Sequence, residues 1–169
     1  MALLDRLLPD EELDSIFELD PERLRSLGKR GIIFDLDNTL GRRGSPRLDE
    51  RVLQLLKELE GAGFKIGILS NSSRARERIE EGLGVGGRPV YFNARKPRRG
   101  GFRQVLAQMG LRPEEVVMVG DQLFTDVLGA KRLGIYSILV RPVDPHEPLA
   151  VRLGRLVARA LLALGRCRS

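Results

Sequence analysis

Short apolar runs punctuate the chain at 31–35, 64–70, 89–92, 116–121 and 136–140. Each is rich in β-branched or aliphatic residues with little polar alternation, the pattern of strands buried on both faces. Between them the apolar period changes. Over 48–59, Leu48, Val52, Leu55, Leu56 and Leu59 share one helical face, with Gly61 or Gly63 to close it. Helices are predicted again over 73–83, with Ser72 as N-cap, and over 101–109 and 125–133, closed by Gly110 and Gly134. Strands alternating with helices imply right-handed crossovers and a parallel sheet. The expected fold class is therefore α/β, a three-layer sandwich around a central parallel, Rossmann-like sheet.

The ends of the chain read differently. Residues 1–30 are expected to be a helical segment packed on the core. Leu3, Leu4, Leu7 and Leu8 form an apolar patch that Pro9 interrupts, and a second helix starts with Asp20 as N-cap and Pro21 at its first position. Residues 31–145 form the core. Residues 146–169 are expected to be a basic amphipathic helix. On a wheel of about 100° per residue, Arg152, Arg155, Arg159 and Arg166 share a narrow face beside Leu149, Leu153, Leu156, Ala160 and Leu164. Such a helix either lies on an anionic membrane or packs its leucines on the domain.

Composition narrows the chemistry. The 169 residues are 42% hydrophobic, enough for one domain with a sizeable core, and no apolar run is long enough for a transmembrane helix. The first residues carry Asp5 and Arg6 and lack the pattern of a signal peptide, so the expected location is the cytoplasm, with peripheral binding to the inner face of the membrane if the tail docks there. There is one cysteine, Cys167, and one histidine, His146, so zinc clusters and internal disulfides are excluded. The chemistry must use carboxylates, lysine and hydroxyls. A net charge of +6 suits phosphates, nucleic acid or anionic lipid.

Polar residues stand where the apolar runs stop. Asp35-Leu36-Asp37-Asn38-Thr39 places two acids two positions apart after a strand. If the chain stays extended, both carboxylates face one side and repel unless a cation neutralises them, for which magnesium is the natural choice. A solvated Asx turn accounts for the tripeptide alone equally well. Asp121 ends another run, and Asp126 falls in the first turn of the next helix, as metal ligand or simple cap. Ser70-Asn71-Ser72 precedes a helix and offers a hydroxyl and N–H groups to phosphate, or again a cap. Lys96-Pro97 follows the third run.

In this order the four motifs resemble the signatures of the haloacid dehalogenase superfamily, over nearly all of residues 31–140. The form Asp-Leu-Asp-Asn-Thr-Leu, together with Leu8-Pro9-Asp10, Ser15-Ile16-Phe17, Gly120-Asp121-Gln122 and Thr125-Asp126-Val127-Leu128-Gly129, is similar to YqeG-type phosphatases of subfamily IIIA. That group is itself similar to the enzyme that dephosphorylates phosphatidylglycerophosphate. The resemblance implies Asp35 as nucleophile, Asp37 as acid and base, and Thr39 as support for the Asp37 loop. It also implies Ser70 and Asn71 at the phosphoryl group and Lys96 between nucleophile and phosphate. Mg²⁺ would be held by Asp35, the Asp37 carbonyl and Asp121, with Asp126 in or behind that shell. The intervals between motifs leave no room for a cap domain. An open site suits a bulky phosphate ester such as an anionic phospholipid, unless oligomerisation supplies a lid. Two rivals remain: a phosphatase for soluble sugar or nucleotide phosphates, and a non-catalytic nucleic-acid or ribosome-binding protein. The second is disfavoured by the lack of aromatic stacking residues.

Overall fold

A computed structural model describes residues 8–74, 77, 82, 84–144, 157, 160 and 163. The helix expected over 73–83 and the tail helix expected over 149–164 lie for the most part outside the described residues. No helix among the described residues is long and apolar enough to cross a membrane.

Six strands form one parallel sheet: β1 (Glu11–Leu13), β2 (Gly31–Asp35), β3 (Lys65–Leu69), β4 (Val90–Tyr91), β5 (Val116–Gly120) and β6 (Tyr136–Val140), in the order β1-β6-β5-β2-β3-β4. Among the described residues the continuous α-helices are α1 (Pro21–Ser26), α2 (Glu50–Gly61), α3 (Arg99–Met109) and α4 (Leu128–Lys131). The chain runs outward from β2 to β4, then returns to β5 on the other side of β2. Connections leaving β2 and β5 therefore diverge, and a crevice opens between the carboxyl ends of these two neighbours.

The continuous apolar runs are explained by burial on both faces. Ile32, Phe34, Ile66, Ile68, Val117 and Val119 point to the side covered by Val52, Leu56 and Leu59 of α2 and by Ile16, Leu19 and Leu24. Ile33 and Met118 point to the opposite side, against Phe102, Val105, Leu106 and Met109 of α3 and Ala130 of α4. This is the expected three-layer sandwich. Asp35 shares the parity of Ile33, so it emerges on the α3 side of the sheet.

The amino-terminal segment differs from expectation. Helix α1 is present, with the Asp20 carboxylate accepting from the N–H groups of Glu22 and Arg23 and Pro21 at its first position. Before it, however, Glu11–Leu13 pairs with β6 as an edge strand. Three residues, two of them acidic, carry no apolar signature; backbone pairing recruits them. The Asp10 side chain fixes the register by accepting from the Ser137 N–H at 2.8 Å and the Ser137 hydroxyl at 2.9 Å. After this strand the 3-10 turn Ile16–Glu18 and α1 pack Ile16, Leu19 and Leu24 on the core.

Helix α3 approaches the sheet closely because β3 has a gap. A Cβ on Gly67 would lie 2.6 Å from Val105 Cγ1 and 2.7 Å from Met109 Sδ. We expect Gly67→Val to cost about 1–3 kcal/mol by overpacking. Chemical denaturation would read this as a lower midpoint at unchanged slope. Gly61→Ala, at the exposed end of α2 with nothing within 4 Å of the added carbon, should leave the midpoint unchanged or raise it.

Candidate active site

The four sequence motifs converge at the crevice between β2 and β5. The strand ends at Asp35, and Leu36 turns into the α2-side core, fully buried. That anchor lets Asp35 and Asp37 line one cleft although the backbone between them is a turn. Asn38 adopts a left-handed conformation (φ 70°) and donates its N–H to the Gly41 carbonyl at 2.7 Å, closing a tight loop. Asp37 Oδ1 accepts from the Gly44 N–H at 3.2 Å.

Asp121 directly follows β5, and Asp126 returns to it through a π-helical turn over Leu123–Val127, where an α-helical start at 125 was expected. Asp126 Oδ2 accepts from the Gln122 N–H at 3.1 Å. Gly120 makes this possible: a Cβ there would sit 2.4 Å from the Asp126 carboxyl carbon. The absent side chain is the space the carboxylate occupies.

Lys96 arrives on the loop between β4 and α3, where Asn93 and Arg95 both hold positive φ. Such conformations are sparsely populated by non-glycine residues and persist where surrounding contacts over-determine them. Here the clamp is Asn71. Its Oδ1 accepts from the Lys96 N–H at 2.7 Å, and its Nδ2 donates to the Lys96 carbonyl at 3.4 Å. The Lys96 ammonium reaches Asp126 Oδ1 at 2.6 Å and also pairs with Asp35 Oδ1. Thr39 Oγ1 lies 3.4 Å from Asp35 Oδ2 and 3.3 Å from Asp121 Oδ1, placed to donate to either acid. Ser70 is fully buried, and its hydroxyl oxygen accepts from the Ser72 N–H at 3.0 Å, which leaves its proton for another acceptor.

The electrostatics of this group are severe. Ligand oxygens of Asp35, Asp121 and Asp126 lie within 4.8 Å of one another, all three residues are buried, and the Lys96 ammonium pairs with two of them. Burial pushes the Asp35 carboxyl up to about 8; Lys96 opposes the shift, and Asp126 and Asp121 reinforce it. Burial alone would lower Lys96, but the carboxylates of Asp126 and Asp35 hold it above its ordinary value. Three buried carboxyl groups crowd one site in which Lys96 pairs with Asp35 and Asp126, and all the offered atoms are oxygen. The residues therefore fit a hard divalent cation.

The cleft above them has a volume of about 650 Å³ and is also lined by Arg43, Gly44, Ser72, Ser73, Arg74, Glu77, Gln122 and Thr125. Sequence reasoning missed Arg43, Arg74 and Glu77. Their types are common surface types, and only the neighbourhood of the Asp37 and Ser70 motifs could have suggested them. Among the described residues no folded cap covers the cleft.

Comparison with known proteins agrees with this geometry. A family model described as haloacid dehalogenase-like hydrolase matches residues 42–134. The "Probable phosphatase YqeG" of Bacillus subtilis is 39% identical over 157 residues, spanning 92% of this chain and 90% of that protein. The chloroplastic phosphatidylglycerophosphate phosphatase 1 of Chlamydomonas reinhardtii is 29% identical over 161 residues, and the match covers 89% of this chain and 59% of the algal protein. An uncharacterized protein from Listeria monocytogenes shares the fold with a TM-score of 0.55 at 24% identity, over 81% of this chain and 99% of that one. A HAD phosphatase from Thermococcus onnurineus does so at 0.50 and 19%, over 72% and 90%. With its motifs gathered at the carboxyl ends of β2 and β5, the chain belongs to the haloacid dehalogenase-like hydrolases and stands among the phosphatases of that family.

Proposed function

We propose that this phosphatase hydrolyses a phosphomonoester through an aspartyl-phosphate on Asp35, with Mg²⁺ as cofactor and phosphatidylglycerophosphate as substrate. The observation that carries the reading is the meeting of Asp35, Lys96, Asp121 and Asp126 beneath an open cleft that Asp37 also lines. The lipid assignment is supported by the similarity to phosphatidylglycerophosphate phosphatases and by the absence of a cap over the described cleft.

In the first step a carboxylate oxygen of Asp35 attacks phosphorus, and the bond to the ester oxygen breaks. Asp37 gives its proton to the departing alkoxide, so an alcohol leaves. In the second step water attacks phosphorus, Asp37 takes the water's proton, and the bond between phosphorus and Asp35 breaks to release inorganic phosphate. Lys96 orients Asp35 and offsets the charge gathered around it. Ser70 offers its free hydroxyl proton to a phosphoryl oxygen, while Asn71 holds the backbone of Lys96. Asp35, Asp121 and Asp126, with the Asp37 carbonyl, would hold the cation. When bound, it would supply charge neutralisation between carboxylates and phosphate.

Asp35→Asn should lower kcat by about a thousandfold or more, because an amide is not an anionic nucleophile. The variant should remain folded, since Asn matches Asp in shape and Lys96 keeps its pairing with Asp126. Normal phosphate release by a folded Asp35→Asn protein would sink the mechanism. The substrate is tested by phosphate release from a panel holding phosphatidylglycerophosphate, sugar phosphates and nucleotides. Faster turnover of a soluble ester would replace the lipid, and no release from any member would favour a non-catalytic, nucleic-acid-binding protein.

The buried acids also set a pH dependence. With its carboxyl raised to about 8, Asp35 binds a proton in the metal-free native state that the unfolded chain has lost above its ordinary value of 3.8. Native protein thus holds more protons than unfolded protein across this window, and stability falls as pH rises through it. The slope is at most about 1.4 kcal/mol per pH unit. Added Mg²⁺ takes the place of that proton, so the gain in Tm over a chelator control should grow from pH 5 to pH 8 and level off above, by roughly the same linkage. A gain equal at all pH values would contradict the placement of the cation beside Asp35.

A further inference from the structure

A second concavity opens at the same end of the sheet, on the far side of the loop that carries Asp37. It has a volume of about 610 Å³ and lies between the residues after β1, the start of α2 and the residues after β6. Its floor is apolar: Ile16, Leu40, Leu48 and Val52 line it and are buried. Its rim exposes Phe17 (43%) and Val143 (48%), two of the four large apolar side chains exposed among the described residues. Arg42, Arg47, Arg51 and Arg141 stand among them.

The arginines outweigh the acids of the groove. Asp14 is already paired with Arg141 at 2.9 Å, and Asp49 accepts from the Arg51 N–H as the N-cap of α2. The Arg51 guanidinium lies 4.7 Å from the centroid of the Phe17 ring, which holds that ring in place without covering it. Exposed apolar side chains beside surplus positive charge suit a ligand that is both greasy and anionic. A soluble sugar phosphate has no use for Phe17 and Val143. Single-stranded nucleic acid prefers several open aromatic faces, and Phe17 is the one aromatic residue here, already stacked by Arg51.

We propose that this groove and its rim are a membrane-docking surface for bilayers containing anionic phospholipid. Phe17 and Val143 enter the boundary between head groups and acyl chains, and Arg42 and Arg47 meet lipid phosphates. The loop ties docking to the active site. Gly41 and Arg42 face the groove, Arg43 and Gly44 face the cleft, and the Val143 N–H donates to the Asn38 carbonyl at 2.9 Å. A protein seated on the groove therefore presents the mouth of the cleft to the same lipid surface. The surface itself follows from the groove; only its use for lipid turnover rests on the substrate reading above.

The test is vesicle flotation with the full chain, using phosphatidylcholine mixed with phosphatidylglycerol against phosphatidylcholine alone. Wild type should float with the anionic vesicles and release as salt rises. Phe17→Ser with Val143→Ser, and separately Arg47→Glu with Arg51→Glu, should each lower the bound fraction ratio by about tenfold or more. Hydrolysis of a small chromogenic phosphate should stay within about twofold in both, which also reports that they fold. Wild type that fails to bind, variants that bind like wild type, or displacement of the vesicles by a single-stranded RNA oligonucleotide would each overturn the proposal. Hydrolysis of phosphatidylglycerophosphate in detergent micelles without vesicle binding would remove the docking surface and leave the substrate reading intact. Vesicle binding without lipid hydrolysis would do the reverse.

Discussion

Asp35, Asp121 and Asp126 bring their oxygens within 4.8 Å of one another in a buried site where Lys96 provides the neutralising charge. Removing a charge from water costs several kcal/mol, and like charges at this range add to that cost. Much of the surrounding architecture serves to hold the carboxylates in place against it. Leu36 roots one side of the Asp35 turn in the core, Gly120 leaves its Cβ volume to Asp126, and Asn71 grips the backbone on either side of the lysine. Thr39, with its hydroxyl near two of the three acids, joins the first motif to the last.

The sheet makes this concentration of charge possible. Parallel strands all end on the same side, and the connections that leave β2 and β5 in opposite directions keep backbone from filling the space between them. The core on both faces then clamps the strands that carry the acids. Ile32 and Phe34 pack toward α2 while Ile33 packs toward α3, so β2 cannot shift by one residue without exchanging its two buried faces. A site that needs carboxylates fixed in mutual repulsion is best carried on elements whose register is over-determined.

The same end of the sheet presents two concavities of similar size and opposite character. One holds the acids and has Arg43 and Arg74 near its mouth; the other is apolar below and arginine-rich above. The loop from Leu36 to Gly44 is the wall between them. A single segment thus lines the acidic cleft with Asp37 and Arg43 on one side and the arginine-rich groove with Leu40 and Arg42 on the other.

By itself the sequence determined the strands β2 to β6, the helices α2 and α3 and the polar side chains that stand at the strand ends. Burial on both faces leaves unbroken apolar runs, and acids at their ends have no role in packing. Asp35 and Asp121 were legible in that way and Asp126 as an acid in the first turn of the next element, whereas Lys96 was singled out only through resemblance, because a lysine before a proline has no distinctive pattern. Tertiary structure alone decided the rest. It recruited Glu11–Leu13 to the sheet through backbone pairing that leaves no apolar trace. It turned Asn71 toward Lys96 and Thr39 toward Asp121, partners 25 and 82 residues away in the chain. It also set Phe17, Arg47 and Val143 around one groove. Periodicity records which side chains face inward; which distant residues meet depends on strand order and on how the layers pack.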